Sequence, residues 1–262
     1  IEAFRAILDH TLTRTPQAAL YRSTPIAYVW DDHDYGANNA DSTSPSRPAA
    51  MQAYREYVPH YPLLGRESPI AQAFTIGRVR VIMTDTRSAR SPAADPDDAA
   101  KTMLGVEQRA WFERELLAAD DEYPLILWVN SVPWIAAPAA GGDDWSGYST
   151  ERAALADFIA ANEIDGLVMV SGDAHMVAFD DGSNSDFSTN GGAGFPVLHA
   201  AALDRPGHVK GGPYSHGAFP GGGQFGVVEV IDDGADTVTV MLSGRTWDGD
   251  ELLSYELTLP AS

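Results

Sequence analysis

Short apolar, β-prone runs that break off in carboxylate or imidazole side chains recur along this chain, and few architectures accommodate that pattern. The run Ile26 to Trp30 ends in Asp31-Asp32-His33-Asp34, and Gly166 to Ser171 ends in Gly172-Asp173-Ala174-His175. A third run, Pro124 to Val129, ends in Asn130-Ser131-Val132-Pro133, and a fourth, leading to Met83, ends in Thr84-Asp85-Thr86-Arg87. Helical patterns lie between these runs, so the expected class is α/β, with helices covering a sheet. Open α/β sheets collect ligands outside the carboxyl ends of their strands. The acidic cap at 31–34 and the D-x-H pair Asp173/His175 are therefore expected to converge on one crevice.

Three carboxylates around one histidine invite two readings. One is a solvated acidic turn. The other is a metal site, because carboxylate oxygens and a neutral imidazole nitrogen are ordinary ligands for Zn²⁺, Mn²⁺, iron or Ca²⁺. Crowded negative charge without a cation is electrostatically costly. The second cluster at 173–175 weights the choice toward metal. Asn130 is ambiguous in its own way: its amide oxygen could ligate a metal, but Asn beside Pro is also a common turn former.

At 262 residues, 44% of them hydrophobic, the chain is long enough to bury a substantial core, and one domain spanning 1–262 is expected. No apolar run approaches the roughly 20 residues of a membrane-spanning helix. A formal net charge of -20 argues against a nucleic-acid-binding surface, which needs clustered Lys and Arg. Bound metal ions can nevertheless invert the local field for an anionic substrate. The absence of cysteine removes disulfides and thiolate ligands from consideration.

Along the chain, residues 1–8 read as an amphipathic helix already under way, without an initiator Met, so an upstream segment is expected. Residues 35–48 read as an exposed loop, 49–57 as a helix, and 73–83 as a hairpin turning at Gly77-Arg78. A helix opens near Gly105 and carries Trp111, Phe112, Leu116 and Leu117, and another, capped by Ser149 or Thr150, runs to about Asn162. Gly182 to Gly223 shows no periodicity and could line or cover the crevice. Three strands, 225–231, 237–243 and 252–259, close the chain as an antiparallel β segment.

Taken in order, Trp30-Asp31-Asp32-His33-Asp34 with Asn38-Asn39, Asp85-Thr86-Arg87, Leu104 to Phe112, and Ser171-Gly172-Asp173-Ala174-His175 resemble the PhoD-like alkaline phosphatases of the calcineurin-like metallophosphoesterase superfamily. The resemblance implies a four-layered α/β/β/α sandwich with mixed sheets. It implies hydrolysis of a small-molecule phosphate mono- or diester by a metal-activated hydroxide, using two or more ions. Calcium and iron are the metals it suggests, with zinc or manganese as alternatives. Asp32, Asp173 and His175 would be metal ligands, with Asn130 as a further one. His33 would face the phosphate and protonate the leaving group, hydrogen-bonded to Asp34 or Asp31, and Asn38 would reach the phosphate. Arg87 would contact a phosphate oxygen or form a structural ion pair near Asp85. Export to an extracellular or periplasmic location follows from the resemblance alone.

The family's earliest motifs do not occur in this sequence. About half of a two-metal site is therefore expected, with a separate N-terminal segment completing it. A non-catalytic metal-binding or interaction module derived from this fold is the alternative. A mononuclear iron oxygenase built on His33, His175 and Asp173 is a more distant one.

Overall fold

The computed structural model describes residues 1–261. Its centre is a seven-stranded mixed sheet in the order β1-β2-β3-β4-β6-β5-β7. The strands are β1 (Gln72–Ile76), β2 (Val79–Thr84), β3 (Leu125–Asn130), β4 (Leu167–Ser171), β5 (Met176–Asp180), β6 (Val197–His199) and β7 (Ala218–Pro220). β2, β3, β4 and β6 run parallel, while β1, β5 and β7 pair antiparallel at the two sides. The hairpin and both central apolar strands agree with the periodicity. β5, β6 and β7 fall partly inside the glycine-rich stretch that carries no sequence period.

The parallel strands are apolar because both faces are covered. On one face, Phe112 and Leu116 of α5 (Val106–Asp120) and Leu155, Ala156 and Ile159 of α6 (Ser149–Ala161) pack against Ile82, Ile126, Trp128, Leu167 and Met169. On the other, Val81, Leu125, Val168, Val177 and Phe179 meet Val238, Val240, Leu242 and Leu253 of a second, three-stranded antiparallel sheet. That sheet runs β10-β9-β8, from β8 (Gln224–Ile231), β9 (Thr237–Thr246) and β10 (Glu251–Pro260). It is the antiparallel C-terminal segment expected from the alternation of its residues.

Helices, the mixed sheet and the C-terminal antiparallel sheet stack as the layers of a mixed α/β sandwich, in agreement with the expected class. The outward face of the three-stranded sheet carries Thr239, Ser254, Glu256 and Thr258 together with Val227, Ile231 and Met241. The helices α1 (Glu2–Thr13) and α2 (Thr15–Ser23) pair with each other, and α1 lies against α4 (Arg47–Tyr57), tied by the Arg5–Glu56 ion pair at 2.8 Å.

Ile26 to Trp30 is extended but joins neither sheet. The expected strand is held by side chains instead. Trp30 Nε1 donates to Asp85 Oδ1 at 2.8 Å, and the Tyr54 hydroxyl donates to the Tyr28 carbonyl at 2.5 Å. Asp85 is fully buried and also accepts from the backbone N–H groups of Ile70, Arg87 and Ser88. One carboxylate thus fastens the extended segment to the end of β2. The expected cap of α6 also differs: Asp97, distant in sequence, accepts from the backbone N–H groups of Ser149 and Thr150. At Gly166, φ is +63°, and a side chain there would strike the Pro124 carbonyl, so glycine alone suits this entry into β4.

Candidate active site

The carboxyl ends of β2, β3 and β4 lie side by side, since Thr84, Asn130 and Ser171 are in register across the three strands. The next residues therefore share one rim: Thr86 and Arg87 after β2, Ser131 after β3, Gly172 and Asp173 after β4. The hydroxyls of Thr86 and Ser131 are 2.5 Å apart, and the Ser131 hydroxyl donates to Asp31 at 3.3 Å. A side chain at Gly172 would come within 3.3 Å of the Ser131 carbonyl, which shows how closely the β3 and β4 ends approach.

Asp31 to Asp34 reach this rim through α3 (Asp32–Tyr35), a single turn with a capping box between Asp31 and Asp34. Asp31 leans into the rim and accepts from Arg87 Nε at 2.6 Å. Arg87 is fully buried, and its two terminal nitrogens fork onto Asp143 at 3.0 Å each. Arg90, also fully buried, reaches the same Asp143 carboxylate at 2.5 Å. Lys210 forms an ion pair with Asp173 from the other side. Asp31, Arg87, Asp143 and Arg90 thus form one connected group of alternating charge, and Lys210–Asp173 is a second ion pair near it.

Burial outweighs the Arg87 ion pair and pushes Asp31 up to about 6, with the nearby charges of Asp173 and Asp32 adding to the rise. Burial acts the same way on Asp143, but Arg87 and Arg90 more than offset it and hold this carboxyl below its ordinary range. Lys210 is depressed by burial and raised further by Asp173, for a net rise. Asp173 itself has φ of +72°, a left-handed conformation that a non-glycine residue holds only when its surroundings impose it.

The expected site residues divide. Asp32 is buried and spends its carboxylate on its own turn, accepting from the backbone N–H of His33 at 2.7 Å and of Asn39 at 2.8 Å. His33 is exposed and, with Asp34, Tyr28 and Trp30, lines an apolar cavity of about 280 Å³ between α1, α4 and the extended segment. The expected hydrogen bond from His33 to Asp34 or Asp31 is not among those of the described residues. Asp34 accepts instead from the Asp31 backbone at 3.2 Å, and Arg87 takes Asp31. Asn38 is exposed and donates to the Asn39 side chain at 2.8 Å. Asn130 is buried, donating to the Val132 carbonyl at 2.5 Å and accepting from Trp145 Nε1 at 3.2 Å, so both ends of its amide are engaged inside the fold. Arg87 takes the ion-pair alternative, although with Asp31 and Asp143 rather than with the Asp85 side chain. His175 Nδ1 lies 3.0 Å from the Pro206 carbonyl, which fixes the proton on that nitrogen and leaves Nε2 free to accept.

A metal site needs several donors around one point. Among the described residues no group of three or more His, Asp or Glu side chains is placed to hold an ion. Arg87 and Lys210 already pair with the carboxylates of the two turns, Asp31 and Asp173. The side chains present therefore do not fit a complete metal shell. The sequence named Asp31 only within the acidic cap and as a possible partner of His33, and it did not point to Ser131, Asp143 or Lys210. Asp143 lies in the Gly/Asp-rich loop 141–148, where adjacent acids were the available signal, while Lys210 could have been noticed because Lys101 is the chain's other lysine.

Among known proteins, the model of the family described as "PhoD-like phosphatase" matches residues 1–207. Alkaline phosphatase D of Bacillus subtilis (strain 168) is 25% identical over 187 residues, covering 60% of this chain and 32% of its own length. A solved structure titled "Structure of PhoD" superposes with a TM-score of 0.60 at 17% identity, over 92% of this chain and 57% of that one. The chain thus spans about a third of the curated relative and somewhat over half of the solved one. The layered sheets agree with that neighbour, and the family match covers most of the sequence, including both acidic turns: the chain belongs to the PhoD-like phosphatase family.

Proposed function

We propose that the chain carries part of the active site of a phosphoric ester hydrolase acting on small-molecule phosphate mono- or diesters. The observation that carries this reading is the convergence of two acidic turns on one rim of parallel-strand ends, where α/β folds hold ligands: the Ser131 hydroxyl reaches Asp31 while Gly172, beside Asp173, approaches the Ser131 carbonyl. Family membership supports the reaction class. It also supports dependence on metal ions in general, with calcium or iron, or else zinc or manganese, as the ions to try. The described residues do not by themselves complete a metal shell. Further donors would have to come from a segment other than the described residues.

Within that limit the chain's own groups have assignable tasks. His33 is exposed at the end of the acidic turn and is the group proposed to protonate a leaving alkoxide. Asn38 is the exposed amide available to a phosphate oxygen. Arg87 is enclosed, so it aligns Asp31 and Asp143 rather than touching a ligand. Asp32 shapes the turn that presents His33. Asp173 and His175 follow the end of β4 on the rim.

The test is hydrolysis of nitrophenyl phosphate and bis-nitrophenyl phosphate with Ca²⁺, iron, Mn²⁺ or Zn²⁺ supplied, by this chain and by a longer form of the protein. Turnover that His33→Ala lowers at least tenfold, with bound metal unchanged, is expected. Absence of turnover in the longer form with every metal would overturn the reading. The alternative, a non-catalytic metal-binding or interaction module, draws on one observation: Arg87 and Lys210 already pair with the carboxylates of the two turns. It predicts at most one bound ion and no hydrolysis.

A further inference from the structure

His199, on β6, is completely buried and belongs to none of the ion pairs at the rim. Both its ring nitrogens are nevertheless committed to the turn that carries Asp173. Nδ1 lies 2.8 Å from the Ser171 hydroxyl, and Nε2 lies 2.7 Å from the Ala174 carbonyl. A carbonyl only accepts, so Nε2 must bear the proton, and Nδ1 must accept from Ser171. The ring is therefore a neutral brace of one tautomer. It spans the first and last residues of Ser171-Gly172-Asp173-Ala174.

Its placement is rigid. His199 is in register with Ser171 of β4 on one side and with Ala178 of β5 on the other, in the interior of the sheet. The turn it spans holds Asp173 at a positive φ, which an aspartate leaves readily unless its flanks are fixed. The Lys210 ion pair orients the carboxylate but does not fix the backbone. Burial holds the His199 imidazole down at about 4, consistent with a group kept neutral.

We propose that His199 is a positioning residue. It clamps the turn 171–174 so that Asp173 and His175 are held at the rim. This rests on the proposed hydrolase reading only for its consequence on turnover; the clamp itself is a claim about geometry.

Two variants of the chain test it. His199→Phe keeps the ring volume and removes both hydrogen bonds. His199→Gln keeps a donor that can reach the Ala174 carbonyl. The primary readout is the backbone amide spectrum. In a folded His199→Phe protein the Asp173, Ala174 and His175 signals should move or broaden while those of β2 and β3 stay in place, and His199→Gln should bring them most of the way back. Where turnover is measurable, kcat should fall at least tenfold in His199→Phe with KM within about twofold. Asp173 to His175 signals unmoved in folded His199→Phe, or moved equally by both variants, would overturn the clamp. Should His199→Phe fail to fold, Ser171→Ala removes the Nδ1 bond alone and must shift the same three signals. A parent protein that never turns over would sink the hydrolase reading and leave the amide result standing.

Discussion

Two turns bring acids to the rim, and they are built on opposite principles. The turn 31–34 follows an extended segment that pairs with no strand, and its shape comes from within: the capping box of Asp31 with Asp34 and the two backbone bonds to Asp32. The turn 171–174 follows a central strand and is shaped from outside, by His199 across it and by Ser131 beneath Gly172. A locally specified turn can form early and be moved as a unit, whereas a turn specified by neighbours exists only once those neighbours are packed. In this fold the first kind is brought to the rim by long-range anchors, Arg87 above all and Ser131 beside it.

Removing the Arg87 anchor should have the largest effect. Arg87→Ala leaves Asp31 without its buried counter-charge and Asp143 with Arg90 alone, a change expected to cost about 3–5 kcal/mol, since breaking a buried pair strands the remaining ion. Urea midpoints would read it, and a loss below about 1 kcal/mol would mean that the turn 31–34 holds its place unaided.

Acidification separates the turns next. His199 is an imidazole held down at about 4 against an ordinary 6.5, so the unfolded chain takes up the proton first. Its contribution is complete above about pH 6.5 and is lost as pH falls toward 4, up to about 3 kcal/mol for a shift of this size. Asp31 has the opposite sign: a carboxyl raised to about 6 favours folding as it gains its proton, and that contribution disappears as pH rises through 6. The His199 effect should therefore show most steeply in an Asp31→Asn background. Flat stability from pH 6.5 to 4 in that variant would refute the assignment.

The smallest expected effect is local. Asp32→Ala removes acceptors for two backbone N–H groups of the first turn and should cost about 1 kcal/mol, the usual worth of such a cap. Thermal melting would detect it. Amide signals of the turn 171–174 should not move, and if they do, the two turns are coupled more tightly than their separate hydrogen bonds imply.

Much of the scaffold was legible because its signals are short-range. Val79 to Thr84, Leu125 to Asn130 and Leu167 to Ser171 are apolar enough to demand burial on both sides, and the helices between them carry Phe112, Leu116, Leu155 and Ile159 at helical spacing. β5, β6 and β7 were not legible, because strands of three to five residues among glycines carry no period. Ile26 to Trp30 looks like a strand by composition, yet strand pairing depends on what lies beside it, and here side chains of Asp85 and Tyr54 hold it instead.

By itself the sequence determined the class of fold and which turns bear acids and imidazoles, since composition and spacing fix these locally, and its ordered motifs carried the family resemblance that the family match bears out. Only the tertiary structure decided which of those acids reach the rim. Asp31 rather than Asp32 reaches the rim, because the backbone of its own turn claims the Asp32 carboxylate while Arg87 and Ser131 draw in Asp31. Adjacent carboxylates in a sequence are chemically alike, and it is the hydrogen-bond donors brought from distant strands that make them different.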